Sequence, residues 1–329
     1  MRISLQSVFM LYLRSFFLHM DTQEGVPVAT SEKPKNKLFI YMKSVGTRLV
    51  AEWEVFKLPV VWSWIIVGAL MQWVHNIMHN YVYYLAGVYQ VYGGPDNQLT
   101  DLGFEAFPDW SNLSFLPSNG CLYSLGLIAF IVAIMPIFVG SQKFFIHPNI
   151  HTIQIIWRGL ICVSICVVFR CVSFIVTILP APAPQCSQAR FDPPSTASEI
   201  LFTFDTENGC SDLIFSSHMM YGITAAGIVT VYLVKGLNYA KENGIDVPKW
   251  ERWTKIGLIV LCVCLVLMEA FSIVCQERHY SVDVWTALYA CPLTWIAFYH
   301  FVPDDPAPKA QAVVVEEGRE MQNPETMNV

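Results

Sequence analysis

The apolar residues of this chain gather into stretches of about 20, and that length restricts the fold more than any other feature. Twenty residues at 1.5 Å rise span a hydrocarbon core of about 30 Å. Six such spans can be drawn, over residues 58–77, 121–140, 156–179, 213–234, 256–275 and 282–302. Composition agrees: 54% hydrophobic residues, 14% charged residues and a mean hydropathy of +0.44 lie far from a soluble average. A chain of 329 residues could hold two soluble domains, but one all-α membrane bundle of six transmembrane helices accounts for the pattern better. Trp157, Trp250 and Trp253 flank span starts, and Trp62 and Trp64 lie near one, where amphipathic rings sit at headgroup level.

Three regions follow: a cytosolic N-terminal segment over 1–57, a transmembrane catalytic domain over 58–302 and a cytosolic tail over 303–329. Arg14 interrupts the apolar run of residues 1–20 and no small-residue cleavage pattern follows, so this reads as an amphipathic or disordered lead rather than a signal peptide. The tail carries Pro303, Pro306 and Pro308, then Glu316, Glu317, Glu320 and Glu325, the composition of a solvated, disordered acidic segment. Orientation follows from the basic residues. Lys33, Lys35, Lys37, Lys43, Arg48 and Lys57 precede the first span, Lys143 lies between the second and third, and Lys235, Lys241, Lys249, Arg252 and Lys255 lie between the fourth and fifth. The opposite loops are nearly empty of them: residues 78–120 contain no Lys or Arg, and the loop 180–212 has only Arg190. Both termini are therefore expected in the cytosol. A net charge of -6 and a pI near 5.7 argue against a nucleic-acid partner.

Within this frame two histidines stand out. His279 and Asp283, in Arg278-His279-Tyr280-Ser281-Val282-Asp283, have the four-residue spacing that puts an imidazole beneath a carboxylate on a helix. His218, in Ser216-Ser217-His218, opens another span. A His-Asp pair plus a separate His suits phosphoryl transfer through a phosphohistidine, with one oriented nucleophile and one acid/base. The topology puts the start of the fourth span and the start of the sixth on the exoplasmic side, so both histidines should meet at one membrane surface.

Around these residues the chain resembles the sphingolipid synthases, the sphingomyelin synthase-like branch of the lipid phosphate phosphatase superfamily. Cys210-Ser211-Asp212-Leu213-Ile214-Phe215-Ser216-Ser217-His218 resembles the family's third block, and His279-Tyr280-Ser281-Val282-Asp283-Val284 its fourth. The run from Phe169-Arg170-Cys171 to Ile178-Leu179-Pro180 is similar to the segment that precedes the third block, and Asp101-Leu102-Gly103-Phe104 to a short acidic block after the first span. The resemblance covers about residues 55–303. It departs where the family usually has Gly at the places of Ser211 and Ser217, and Thr at the place of Met219.

The resemblance implies a lipid phosphatase-like bundle and a two-step exchange at phosphorus. His279, held by Asp283, would attack the phosphodiester of a glycerophospholipid and release diacylglycerol, with His218 protonating the departing oxygen. His218 would then take the proton of the ceramide hydroxyl as it attacks the phosphohistidine. Asp212, Arg170, Arg278, Ser217 and Tyr280 are expected to bind substrate or support the histidines. For Asp212 a helix cap and a partner behind the histidines are both open, and Arg278 suits either a lipid headgroup or the reacting phosphate. No metal or cofactor is expected. The expected partners are ceramide, a glycerophospholipid donor (phosphatidylcholine, phosphatidylethanolamine or phosphatidylinositol) and the bilayer; a homo-oligomer is left open. The acidic exoplasmic loops lean the donor toward phosphocholine, and the family toward Golgi or plasma membrane. A lipid phosphate phosphatase is the alternative, although Ile273 stands where its usual arginine would precede the last histidine. A non-catalytic lipid-binding or transport protein is another.

Other features carry less. Arg170 and Glu269 fall inside spans and must be paired or face the bundle interior; pairing with each other, or a polar floor for the headgroup site, would meet that need. His75 and His79, and His147 and His151, have helical spacing, but the first pair should be exoplasmic and the second cytosolic, which argues against one metal site. Cys121, Cys186, Cys210 and Cys275 lie toward the exoplasmic side; a Cys186–Cys210 bridge is compatible with that compartment, though spacing does not determine it. Asn112-Leu113-Ser114 is a glycosylation sequon in the first exoplasmic loop.

Overall fold

The structure, a computed structural model, describes residues 37–110, 116–139, 150–204, 209–242, 244 and 246–302. The lead over 1–20, Lys143, His147, the sequon at Asn112 and the tail 303–329 lie outside the described residues. The chain divides into two compact units, 1–43 and 44–329; of the first, residues 37–43 form the opening turns of a helix.

Among the described residues the regular elements are all helical: α1 (Lys37–Phe56), α2 (Pro59–Tyr89), α3 (Leu102–Ala106), α4 (Leu116–Val139), α5 (Thr152–Val176), α6 (Ala197–Phe202), α7 (Ser217–Glu242), α8 (Lys249–Cys275) and α9 (Ser281–Phe301), with a 3-10 turn at Pro184–Cys186. Helices α2, α4, α5, α7 and α8 are long and apolar enough to cross a membrane. The expected sixth span is α9. Its 21 residues reach about 32 Å, and Trp285, Tyr289, Pro292, Trp295 and Tyr299 stand among its aliphatic residues.

Local chemistry sets the helix ends. Pro59 opens α2, where its missing N–H removes nothing from the helix, and Gln90 closes it in the left-handed conformation with φ 58°. Thr196 and Glu199 form a capping box on α6. The carboxylate of Glu52 accepts hydrogen bonds from Thr152 N (2.9 Å) and Ile153 N (3.0 Å), satisfying the first amides of α5. The helices close on a shared interior that includes Leu125, Phe174, Met219, Met220 and Ala287. Between helices in lipid such close packing, rather than removal from water, is what holds the bundle together.

Two expectations need correction. The first span does not stop near residue 77: α2 runs 31 residues to Tyr89, about 46 Å at helical rise. His75, Asn76, His79 and Asn80 interrupt the apolar pattern without ending the helix, because remote groups satisfy them. Asn76 Nδ2 donates to Thr203 O at 2.8 Å, and Asn80 Nδ2 donates to Thr203 O at 2.8 Å and Ile200 O at 3.1 Å, so α2 clamps the end of α6. Arg170 and Glu269, both fully buried, do not pair with each other. Arg170 pairs with Asp212. Both oxygens of Glu269 lack a hydrogen-bond partner, and its carboxyl lies against Gly222, where a Cβ would come within 2.3 Å of Oε2.

Candidate functional site

One rim of the bundle is covered by the connections after α2, after α5 and before α7. Gly93 N donates to Cys186 O and Gly94 N to Ala181 O, both at 2.8 Å. A disulfide joins Cys186 to Cys210, with Cα atoms 5.2 Å apart. The acidic block Asp101-Leu102-Gly103-Phe104 is part of this cover. Asp101 caps α3 by accepting from Gly103 N at 2.7 Å, and its other oxygen accepts from Ser281 N at 2.6 Å, at the start of α9.

That clamp fixes the turn before α9, and the turn carries His279. His279 Nδ1 lies 3.2 Å from Asp283 Oδ2, with the carboxylate fully buried and the imidazole nearly so. A carboxylate only accepts, so Nδ1 carries the proton and Nε2 presents its lone pair. Asp283 is itself held by Tyr280 N at 3.1 Å on Oδ2 and by Ile214 N at 2.7 Å on Oδ1. The second of these bonds crosses to the segment leading into α7. Ser216 N also donates to Asp283 O at 3.3 Å, so the starts of α7 and α9 are tied together at one rim. His218 is the second residue of α7 and lies within charge–charge range of His279, Arg278, Arg170 and Asp212. Its Nε2 is 2.9 Å from Asn119 Oδ1 on α4.

Behind the histidines lies a buried polar cluster. Arg170 on α5 forms an ion pair with Asp212 and donates from Nε to His75 Nε2 at 3.2 Å. His79 Nε2 lies 2.8 Å from His75 Nε2 and 3.5 Å from Asp212 Oδ2. Tyr83 OH donates to Asp212 Oδ1 at 3.2 Å and accepts from Gly209 N at 3.3 Å. Burial pushes the Asp212 carboxyl up, but the Arg170 guanidinium beside it, with His79 and His279, outweighs burial and holds it below the usual carboxylate range. Arg170 keeps one buried nitrogen, Nη1, without a hydrogen-bond partner. A guanidinium with a spare donor beside two histidines suits a phosphate oxygen.

The other sequence-derived candidates fall at the same rim. Ser217 opens α7 and is partly exposed; Arg278 is partly exposed, and burial lowers its guanidinium from the ordinary value. Tyr280 is structural in its contacts: its hydroxyl donates to Pro180 O at 2.7 Å and accepts from Leu99 N at 2.9 Å, joining three connections. The Asp212 carboxylate faces Arg170, His79 and Tyr83. Neither Ser211 nor Ser217 has positive φ, so serine in place of glycine brings no left-handed strain there. The strain sits at Ile214, with φ 76°, a conformation costly for a β-branched residue, which turns its N–H onto Asp283. Asn119, His75, His79 and Tyr83 were not legible as site residues, because each is joined to the site by a partner distant in sequence.

A His-Asp pair and a second histidine at one rim of a bundle of apolar helices have the groups that phosphoryl transfer needs, and the comparisons with known proteins point the same way. Residues 209–301, which include Asp212, His218, His279 and Asp283, match the PAP2 superfamily C-terminal family. Phosphatidylinositol:ceramide inositolphosphotransferase 2 of Arabidopsis thaliana is 25% identical over 259 residues, covering 77% of this chain and 74% of that protein. Phosphatidylinositol:ceramide inositolphosphotransferase of Oryza sativa subsp. indica is 25% identical over 254 residues (74% and 67%), and Arabidopsis thaliana phosphatidylinositol:ceramide inositolphosphotransferase 3 is 26% identical over 246 residues (72% and 73%). Over most of its length the chain is thus similar to phosphatidylinositol:ceramide inositolphosphotransferases, and over residues 209–301 to the PAP2 superfamily C-terminal family.

Proposed function

We propose that this protein is a sphingolipid synthase that moves a phosphorylated headgroup from a glycerophospholipid to ceramide through a phosphohistidine. The observation that carries the reading is the His279–Asp283 pair, to which Ile214 N and Ser216 N tie the start of α7, where His218 lies. His279 Nε2 attacks phosphorus, the bond to the diacylglycerol oxygen breaks, and His218 supplies its proton. His218 then accepts the proton of ceramide's primary hydroxyl, whose oxygen attacks phosphorus and displaces His279. Asp283 fixes the ring of His279 and stabilises its cationic phosphorylated form. Arg170 Nη1 and Arg278 take the phosphoryl oxygens, and Asp212, His75 and His79 hold Arg170 in place.

Phosphatidylinositol is the donor carried by the relatives' names. Arg170 and Arg278 beside the site also favour a neutral polyol over a cationic headgroup, against the lean toward phosphocholine from the acidic loops. The rim faces the lumen of the Golgi or the cell exterior, with both termini cytosolic; the basic residues between spans support this, as does the Cys186–Cys210 bridge, which belongs in an oxidising compartment. The test is to reconstitute the full chain in liposomes with fluorescent ceramide and, in turn, phosphatidylinositol, phosphatidylcholine and phosphatidylethanolamine. Ceramide phosphoinositol is expected. Free headgroup phosphate without a ceramide product would mean a phosphatase, and unchanged lipids with every donor would mean a non-catalytic protein.

A further inference from the structure

His279 and His218 are held by different chemistry. The partner of His279 is a carboxylate, 3.2 Å away. The partner of His218 is a neutral amide: Asn119 Oδ1 lies 2.9 Å from its Nε2, and Asn119 is 5% exposed. Its neighbour Ser118 anchors the same turn of α4 to α8 through Oγ to Gln276 Oε1 at 3.0 Å. An amide oxygen accepts and does not donate, so Nε2 of His218 carries the proton facing it, and Nδ1 is left to exchange protons.

The two tasks call for this difference. A nucleophile that becomes cationic when phosphorylated gains from a carboxylate behind it. A group that gives a proton in one half-reaction and takes one in the next must hold it loosely, so its orienting partner should fix the ring without stabilising the imidazolium. The charges that face His218 are His279 and Arg278 from the α8–α9 connection, Arg170 from α5 and Asp212 from the segment before α7. From α9, Asp283 acts on His279; from α8, Glu269 lies one turn inward against Gly222; α4 contributes Asn119. Asn119 is thus the direct hydrogen-bond partner of the ring and adds no charge.

We propose that Asn119 is the positioning residue for His218, holding it by Nε2 so that Nδ1 delivers the proton to the departing diacylglycerol oxygen and takes it back from ceramide. The inference rests on the proposed function, so its test has an arm that needs no turnover. In liposomes with ceramide and donor, Asn119→Ala is expected to lower kcat about 10–100-fold with little change in KM. Asn119→Asp, close in shape, is expected to keep the ring placed but to move the limb of the kcat–pH profile governed by His218 upward by about one to three units, because it puts a carboxylate in contact with the ring. Rates and profiles of both variants equal to wild type would overturn the proposal. If Asn119→Ala does not give a monodisperse protein in detergent, the Asn119→Asp profile decides. In the second arm, carbethoxylation of His218 by diethyl pyrocarbonate is followed by peptide mass spectrometry against pH. A midpoint raised in Asn119→Asp supports the contact even if no donor is turned over, in which case the proposed function falls alone; an unmoved midpoint overturns the role of Asn119 and leaves the proposed function standing.

Discussion

Replacing Asp212 by asparagine removes one charge from the polar cluster behind the histidines and changes its shape very little. In the wild type the carboxylate is 1% exposed, pairs with Arg170 and lies within 3.5 Å of His79 Nε2. With asparagine there, the guanidinium of Arg170 stays fully buried against His75 and Phe174 with no counter-charge. Removing one partner of a buried ion pair costs about 3–5 kcal/mol, a fall in midpoint on the order of 10 °C for a bundle of this size. Arg170→Met combined with Asp212→Asn removes both charges, and the double variant should recover most of that loss. The pH dependence has a definite sign. The folded-state value of Asp212 is depressed, so its contribution is complete above the unfolded value near ~3.9 and is lost as pH falls through the folded one. Thermal unfolding in detergent at pH 7 and in steps below pH 4, by circular dichroism, measures all of this. The reasoning is refuted if Asp212→Asn lies within about 0.5 kcal/mol of wild type, or if the double variant loses the sum of the single losses.

Two further perturbations test the cover of the site. At an ordinary position alanine is more stable than glycine by about 0.5–1 kcal/mol, but at Ile214, with φ 76°, the order should invert, with Ile214→Gly about 1 kcal/mol more stable than Ile214→Ala by thermal melting; the usual order would show that this backbone is unstrained. Opening the Cys186–Cys210 bridge, by Cys186→Ser with Cys210→Ser, frees a loop with a sequence separation of 24 and is expected to cost about 3 kcal/mol in the same melts, where no change would show that the hydrogen bonds of Gly93 and Gly94 hold the cover alone.

Much of this was legible in the sequence, for reasons that differ from residue to residue. The bundle was legible because a stretch of twenty apolar residues has few other solutions, and His279 with Asp283 because four residues separate them, although His279 lies in the bend before α9 and not on the helix that carries Asp283. His218 needed only the alternation of spans across the membrane to reach the same rim. Residues 78–89 were not recognised as helix because His75, Asn76, His79 and Asn80 look like the end of a span, and the groups that satisfy them lie more than ninety residues away at Arg170, Ile200 and Thr203. Arg170 inside a span calls for a partner, but Glu269, the other charge inside a span, is not it; Asp212, outside the spans, reaches it from the turn before α7. Asn119 is a lone asparagine at the start of a span, and only the packing of α4 on α7 gives it a meaning.

The central claim is that phosphorus passes through His279, and the most direct measurement is to look for it there. The purified chain in liposomes is mixed with phosphatidylinositol in the absence of ceramide, quenched in alkali, where phosphohistidine survives, and mapped by peptide mass spectrometry. A phosphoinositol adduct on His279 that disappears when ceramide is added is the predicted result. Its absence while transfer proceeds, or transfer at the wild-type rate by His279→Ala, would contradict the account.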